Sequence, residues 1–320
     1  MHPAQGLLLA LAIALSCNKD RPEPAADRSL QQTEVPMTPQ FDGSRAFWYL
    51  KKQVSFGPRN PNSDGHRRCL EYLSTTLRQT ADQVKIQNFT ERGYDGEILK
   101  LTNVIASFAP ANKQRILLCA HWDTRPRAER DENPAKRNQP IPGANDGASG
   151  VAVLLEIASL LKQAPPAIGV DIVLFDGEDY GKEGDLPRYL LGSQYFAKNK
   201  PQDYIPRFGI LLDMVGDAAL ELPQEGNSIR FAGDVVNLVW QTAESLGYTQ
   251  FIKEPGDEIY DDHVPLNRAG IKTIDIIDFN YPDQTNRYWH THQDTPEHCS
   301  AQSLQAVGNV LVHVIYGMQK

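Results

Sequence analysis

Short apolar runs that end directly in acidic or histidine residues constrain this chain most. Ile116-Leu117-Leu118-Cys119-Ala120 leads into His121-Trp122-Asp123, Val173-Leu174-Phe175 into Asp176-Gly177-Glu178-Asp179, and Ile210-Leu211-Leu212 into Asp213. Unbroken apolar runs of this length suit strands covered on both faces, as in parallel sheets. Between them, residues 147–162 carry apolar side chains at helical spacing. Strand, helix and strand in rotation predict an α/β fold: a mostly parallel, mixed central sheet with helices on both faces. The carboxyl ends of such strands gather at one edge, where ligands bind.

The pattern predicts helices over 45–54 (capped by Ser44), 65–79, 147–162, 235–246 and 300–318. Strands are predicted near 84–89, 99–108, 115–120 (continuing into His121), 170–175, 208–214 and 272–277. Residues 6–15 form an apolar run too short to span a bilayer and suited to the core of an export signal. It ends in Ala14-Leu15-Ser16-Cys17, which resembles a bacterial lipoprotein cleavage box. The expectation is a signal segment over 1–17, a lipid anchor at Cys17, and display on the bacterial cell envelope. Residues 18–40 hold four prolines and few large apolar side chains, the composition of a flexible tether. A single catalytic domain is expected over 41–320. The net charge of −8, with no lysine or arginine run, disfavours nucleic acid as a partner. Among Cys17, Cys69, Cys119 and Cys299 there is no CxxC spacing. Cys119 reads as a small buried hydrophobe, and pairing of Cys69 with Cys299 is left open.

Five motifs spread over roughly 170 residues gain meaning together. His121 and Asp123 are two apart, so an extended backbone puts both on one face. Asp146 lies in Gly143-Ala144-Asn145-Asp146-Gly147, where small residues meet a helix start. Glu178 and Asp179 are adjacent and point apart, so one can bind a metal while the other handles protons. Asp213, inside an apolar run, would be a buried charge in need of a partner. His290, in Trp289-His290-Thr291, supplies an imidazole. Carboxylates and imidazoles gathered at one place repel one another unless a cation sits among them, and nitrogen and oxygen donors suit zinc. Singly each motif has a plainer reading: a surface pair, a capped turn or a solvated loop edge.

These motifs resemble those of the zinc aminopeptidase superfamily, with its zinc exopeptidase-like fold. Within it the chain is similar to the glutaminyl-peptide cyclotransferases (glutaminyl cyclases) of animals and some bacteria. The resemblance covers roughly Phe56 to the C-terminus, from Phe56-Gly57-Pro58-Arg59-Asn60-Pro61 through the five motifs, with Leu191-Gly192-Ser193-Gln194 and Asp261-Asp262-His263 among them. It implies one Zn2+ held by Asp146, Asp179 and His290, with Glu178 as general acid and base. Asp261 and Asp213 would complete an acidic network, and Trp289 would wall the pocket. The implied reaction converts the N-terminal glutamine of peptides or proteins to pyroglutamate and releases ammonia. One departure is Asp179, where the animal enzymes carry glutamate. The alternative the resemblance leaves is a two-zinc aminopeptidase, with His121 and Asp213 as added ligands and Asp146 bridging. His121 and Asp123 would then join a second ion or lie behind the first. The extra carboxylate of Asp261 and the indole of Trp289 favour the cyclase. Residues 125–140 read as a charged loop at the pocket rim, and His292 and His298 as neighbours outside the ligand set.

Overall fold

A computed structural model of the protein describes residues 38–318. The 6–15 run, Cys17 and nearly all of the tether lie outside the described residues. Eight strands follow one another there: β1 (Gln83–Arg92), β2 (Ile98–Phe108), β3 (Arg115–His121), β4 (Gly169–Phe175), β5 (Gly209–Asp213), β6 (Leu222–Gln224), β7 (Phe251–Pro255) and β8 (Thr273–Ile277). Six form one sheet in the order β1-β2-β4-β3-β5-β8, while β6 and β7 pair separately. The β1–β2 hairpin and the β2–β4 pair are antiparallel; β4, β3, β5 and β8 run parallel. The sheet is therefore mixed, and its parallel half carries the motif-bearing strand ends.

Seven helices complete the described residues: α1 (Gly43–Val54), α2 (Asp64–Thr80), α3 (Ala148–Gln163), α4 (Leu191–Asn199), α5 (Gly226–Ser245), α6 (His263–Arg268) and α7 (Ala301–Gly317). Alternation along the strands sorts them into two layers. Ile116, Leu118 and Ala120 of β3 join the large core with α1, α2, α3, α5 and α7. Leu117 and Cys119 face the other way, packing with Phe196 of α4 and Leu266 of α6. Strands buried on both faces explain why their sequences are apolar throughout rather than alternating.

Some local expectations need correction. Asp42, not Ser44, caps α1: its backbone is extended and its carboxylate accepts from Arg45 N at 3.0 Å. Helix α5 starts at Gly226 rather than near 235, because the Glu225 carboxylate caps it through Asn227 N and Ser228 N. A break in helical geometry at Ala232 separates the two parts, and only the second has the apolar periodicity visible in sequence. Cys69, Cys119 and Cys299 are all buried free thiols, so Cys69 and Cys299 are not paired.

Candidate active site

Parallel register brings the motifs together. His121 ends β3, Asp213 ends β5, and Glu178-Asp179 follow β4 by one tight turn. Asp146 comes from the connection between β3 and α3, on the loop that opens α3. That loop is crowded: Gly147 has φ +98, and a Cβ there would lie 2.4 Å from Asp123 O. A Cβ on Gly150 would lie 2.2 Å from Leu212 O, so α3 presses directly on the end of β5. Asp294 anchors the loop, accepting from Asn145 N at 2.7 Å and Asp146 N at 3.1 Å. His290 itself sits at φ +56, a left-handed conformation that costs a β-carbon residue about 1–2 kcal/mol. Unfavourable backbone held in place at such an edge is a mark of functional sites.

Two groups of side chains converge closely enough to hold an ion. Asp146, Asp179 and His290 each offer a ligand atom within 4.8 Å of the others, and so do His121, Asp146 and Asp213. His290 Nε2 lies 3.4 Å from Asp179 Oδ1 and 3.6 Å from Asp146 Oδ2. Across Asp146, His121 Nε2 lies 3.2 Å from Asp146 Oδ1 and 3.1 Å from Asp213 Oδ1. The first group passes a chemical test for zinc. All three side chains are nearly inaccessible, two are carboxylates and one an imidazole, and the buried Asp179 Oδ2 has no hydrogen-bond partner among the described residues. Asp123 belongs to neither group. Its carboxylate accepts from Glu178 N at 3.1 Å and Asp179 N at 3.3 Å, bracing the turn that presents them. Asp213, expected to need a partner, has one in His121.

A cavity of about 350 Å³ opens over this edge, lined by Asp146, Glu178, Asp179, Asp261, Trp289 and His290. Burial, with Asp179 and Asp261 nearby, drives the Glu178 carboxyl well above the ordinary glutamate range, against the pull of His121. Burial and the charge of Asp213 move Asp261 to about 7. Asp179 behaves oppositely: burial would raise it, but Arg125 and His290 hold it below the usual carboxylate range. His121 is likewise decided by its neighbours, since burial would lower it while Asp213, Asp123 and Asp146 raise it well above 6.5. Two carboxyl groups with raised proton affinity thus share a pocket with a carboxylate kept ionised. Trp289 forms one wall, stacked on His290 with ring centroids 3.7 Å apart and met edge-on by Phe279 at 5.0 Å.

Sequence reasoning missed several contributors. Arg125 donates to Asp179 Oδ1 at 2.7 Å and to Asp179 O at 3.0 Å, a contact that reading 125–140 as a charged loop at the pocket rim did not specify. Behind Asp261 lie Asp262, Asp275, His263 and Glu225, all buried. Asp275, in Thr273-Ile274-Asp275-Ile276-Ile277, carried the same signal as Asp213: a charge inside an apolar strand.

Residues 103–315 match Peptidase family M28. Among solved structures, the chain is similar to a Bacteroides thetaiotaomicron glutaminyl cyclase bound to N-acetylhistamine (46% identity, 88% of this chain and 100% of that one, TM-score 0.85). A leucine aminopeptidase precursor from the same organism is equally similar (45%, 89% and 100%, TM-score 0.85). Among curated proteins, Aminopeptidase YwaD of Bacillus subtilis is 26% identical over 86% of this chain, which spans only 57% of that protein's length. The mouse glutaminyl-peptide cyclotransferase-like protein is 25% identical over 79% of this chain and 70% of its own. The chain belongs to peptidase family M28, as an enzyme of the glutaminyl-cyclotransferase type.

Proposed function

We propose that this enzyme cyclises the N-terminal glutamine of peptides and proteins to pyroglutamate, at a single zinc ion held by Asp146, Asp179 and His290. Asp261 is the observation that carries the reading. It is 3% exposed, lines the same cavity as Glu178, and has one carboxylate oxygen without a partner among the described residues. A bound zinc would supply Lewis acidity toward the γ-carboxamide oxygen. Glu178 takes a proton from the substrate's α-amine as its nitrogen bonds to the carbonyl carbon of the side-chain carboxamide, and returns one to the carboxamide nitrogen as its C–N bond breaks and it leaves as ammonia. Its raised affinity for protons suits both transfers near neutral pH. Asp261 accepts a hydrogen bond from the carboxamide NH2 and orients it. Trp289 gives the small planar amide a flat wall and helps exclude water. The attack is intramolecular, so holding the folded-back conformer supplies much of the rate.

One observation favours a second reading. His121, Asp146 and Asp213 also converge within ligand range, and a second zinc there would give an aminopeptidase with Asp146 bridging. Against it stand the buried Asp261 carboxylate, with one oxygen free for an amide NH2, and the Trp289 wall of the same cavity. A paired assay on the purified protein separates the readings. Ammonia release from a Gln-peptide with one zinc per chain is expected; hydrolysis of aminoacyl anilides with two zincs would establish the aminopeptidase.

We further propose, on the sequence of residues 1–17 alone, that the protein is exported and lipid-anchored at Cys17 in the bacterial cell envelope. Among the described residues no helix is long and apolar enough to cross a membrane. Radiolabelled fatty acid should enter the protein and should be lost with Cys17→Ser.

A further inference from the structure

We propose that residues 125–131 form a strap that fixes the spacing of Asp179 and His290 and so sets the affinity of the site for zinc, with Glu129 as its central positioning residue. The inference rests on the metal reading above and extends it to residues outside the proposed ligand set, at the wall of the same cavity.

Asp179 is placed by the sheet, one turn beyond β4. His290 is not: it lies in the irregular stretch between β8 and α7, in a left-handed conformation that no strand ladder enforces. Something else must set the distance between them, and the strap reaches both. Its first half grips the Asp179 side: Arg125 holds the Asp179 carboxylate and carbonyl, and Arg127 donates to Tyr180 O at 3.2 Å. Its second half grips the His290 side. Asp131 Oδ2 accepts from His292 N at 3.1 Å and lies 2.9 Å from His292 Nδ1. Glu129 joins the halves: Oε1 accepts from Arg125 Nε at 2.7 Å and faces His290 Nδ1 at 3.9 Å.

The geometry has a chemical consequence. His290 Nε2 points at Asp146 and Asp179, so its Nδ1 must carry the proton when Nε2 binds a metal. A carboxylate facing that outer N–H fixes tautomer and ring orientation and makes the inner nitrogen a better donor. The Arg125 side chain is only 1% exposed, so this is no solvated surface pairing.

Zinc affinity measured by competition with a chelator tests the strap, using Glu129→Ala, Glu129→Gln, Asp131→Asn and the exposed neighbour Glu132→Ala. Glu129→Ala should weaken zinc binding about 10- to 100-fold. Glu129→Gln should recover much of that loss, because its amide oxygen can still accept from Arg125 and face His290 Nδ1, and Asp131→Asn should lose less than Glu129→Ala. Glu132→Ala should match wild type. With cobalt(II) in place of zinc, the visible spectrum of Glu129→Ala should shift, whereas a merely structural loop would leave it unchanged. Should Glu129→Ala and Asp131→Asn bind zinc as wild type does while Asp146→Asn loses it, the strap is refuted and the metal reading stands. Should Asp146→Asn also keep its zinc, the metal reading falls, and the strap with it.

Discussion

Two buried acidic groups sit side by side at the carboxyl edge of the sheet, built from the same residue types, yet they hold charge in opposite ways. In the first, Asp146 and Asp179 face His121, His290 and Arg125; Asp179 is kept ionised, while burial and Asp179 raise Asp146 against the pull of His121. In the second, Asp261, Asp262 and Asp275 face chiefly one another. Burial drives Asp262 and Asp275 well above the carboxylate range and Asp261 to about 7. The one imidazole there, His263, lies 3.2 Å from Glu225 and 3.7 Å from Asp275. Glu225 also accepts from Asn227 N, Ser228 N and Ile259 N, and is carried down to about 2 even though burial opposes it. Identical carboxylates thus become a cation site where the chain supplies positive partners, and a proton store where it does not.

Matched substitutions should expose the difference. Asp179→Asn is expected to do the most damage: it removes a proposed zinc ligand and leaves Arg125 buried without that anion. Breaking such a pair costs about 3–5 kcal/mol, to be read by urea unfolding of the metal-free protein. Glu178→Gln should keep zinc and fold while lowering kcat on the order of 10²–10⁴-fold. In the wild-type enzyme kcat/KM should fall on the acid side, through a value above the ordinary glutamate range, because the base must be ionised to accept a proton. Glu225→Gln should act through pH. The folded value of about 2 lies below the ordinary 4.5, so the stability Glu225 adds is complete above pH 4.5 and is lost as pH falls toward 2. The gap in unfolding free energy between wild type and Glu225→Gln should close across that window. Smallest of all should be Asp275→Asn, since burial and the nearby Asp261, Asp213 and Glu225 favour the neutral carboxyl, which the replacing amide resembles. A large loss of stability at pH 7 would mean that Asp275 is ionised and the two groups are not different in kind.

The sheet was legible because strands buried on both faces leave unbroken apolar runs, and the site was legible where such a run ended in a charge. His121, Glu178-Asp179 and Asp213 all follow that rule, and the structure brings them to one edge with Asp146 and His290. Asp123 followed the rule too, but it braces backbone rather than pointing into the site. What escaped were residues whose role depends on where a loop returns. Arg125, Glu129 and Asp131 lie in a stretch as charged as any solvated surface, and only their contacts with the 179 and 290 loops set them apart. Helix α6 and strand β7 were too short for periodicity to register, and Asp42 and Ser44 are equally good caps until the backbone chooses between them.

The most direct test of the account is a crystal structure of the purified protein with anomalous scattering collected at the zinc edge. The account predicts one peak, shared by Asp146, Asp179 and His290, with Arg125 still on Asp179 and Glu178 outside the coordination sphere. A second peak of comparable height among His121, Asp146 and Asp213, or Glu178 bound to the metal, would contradict it.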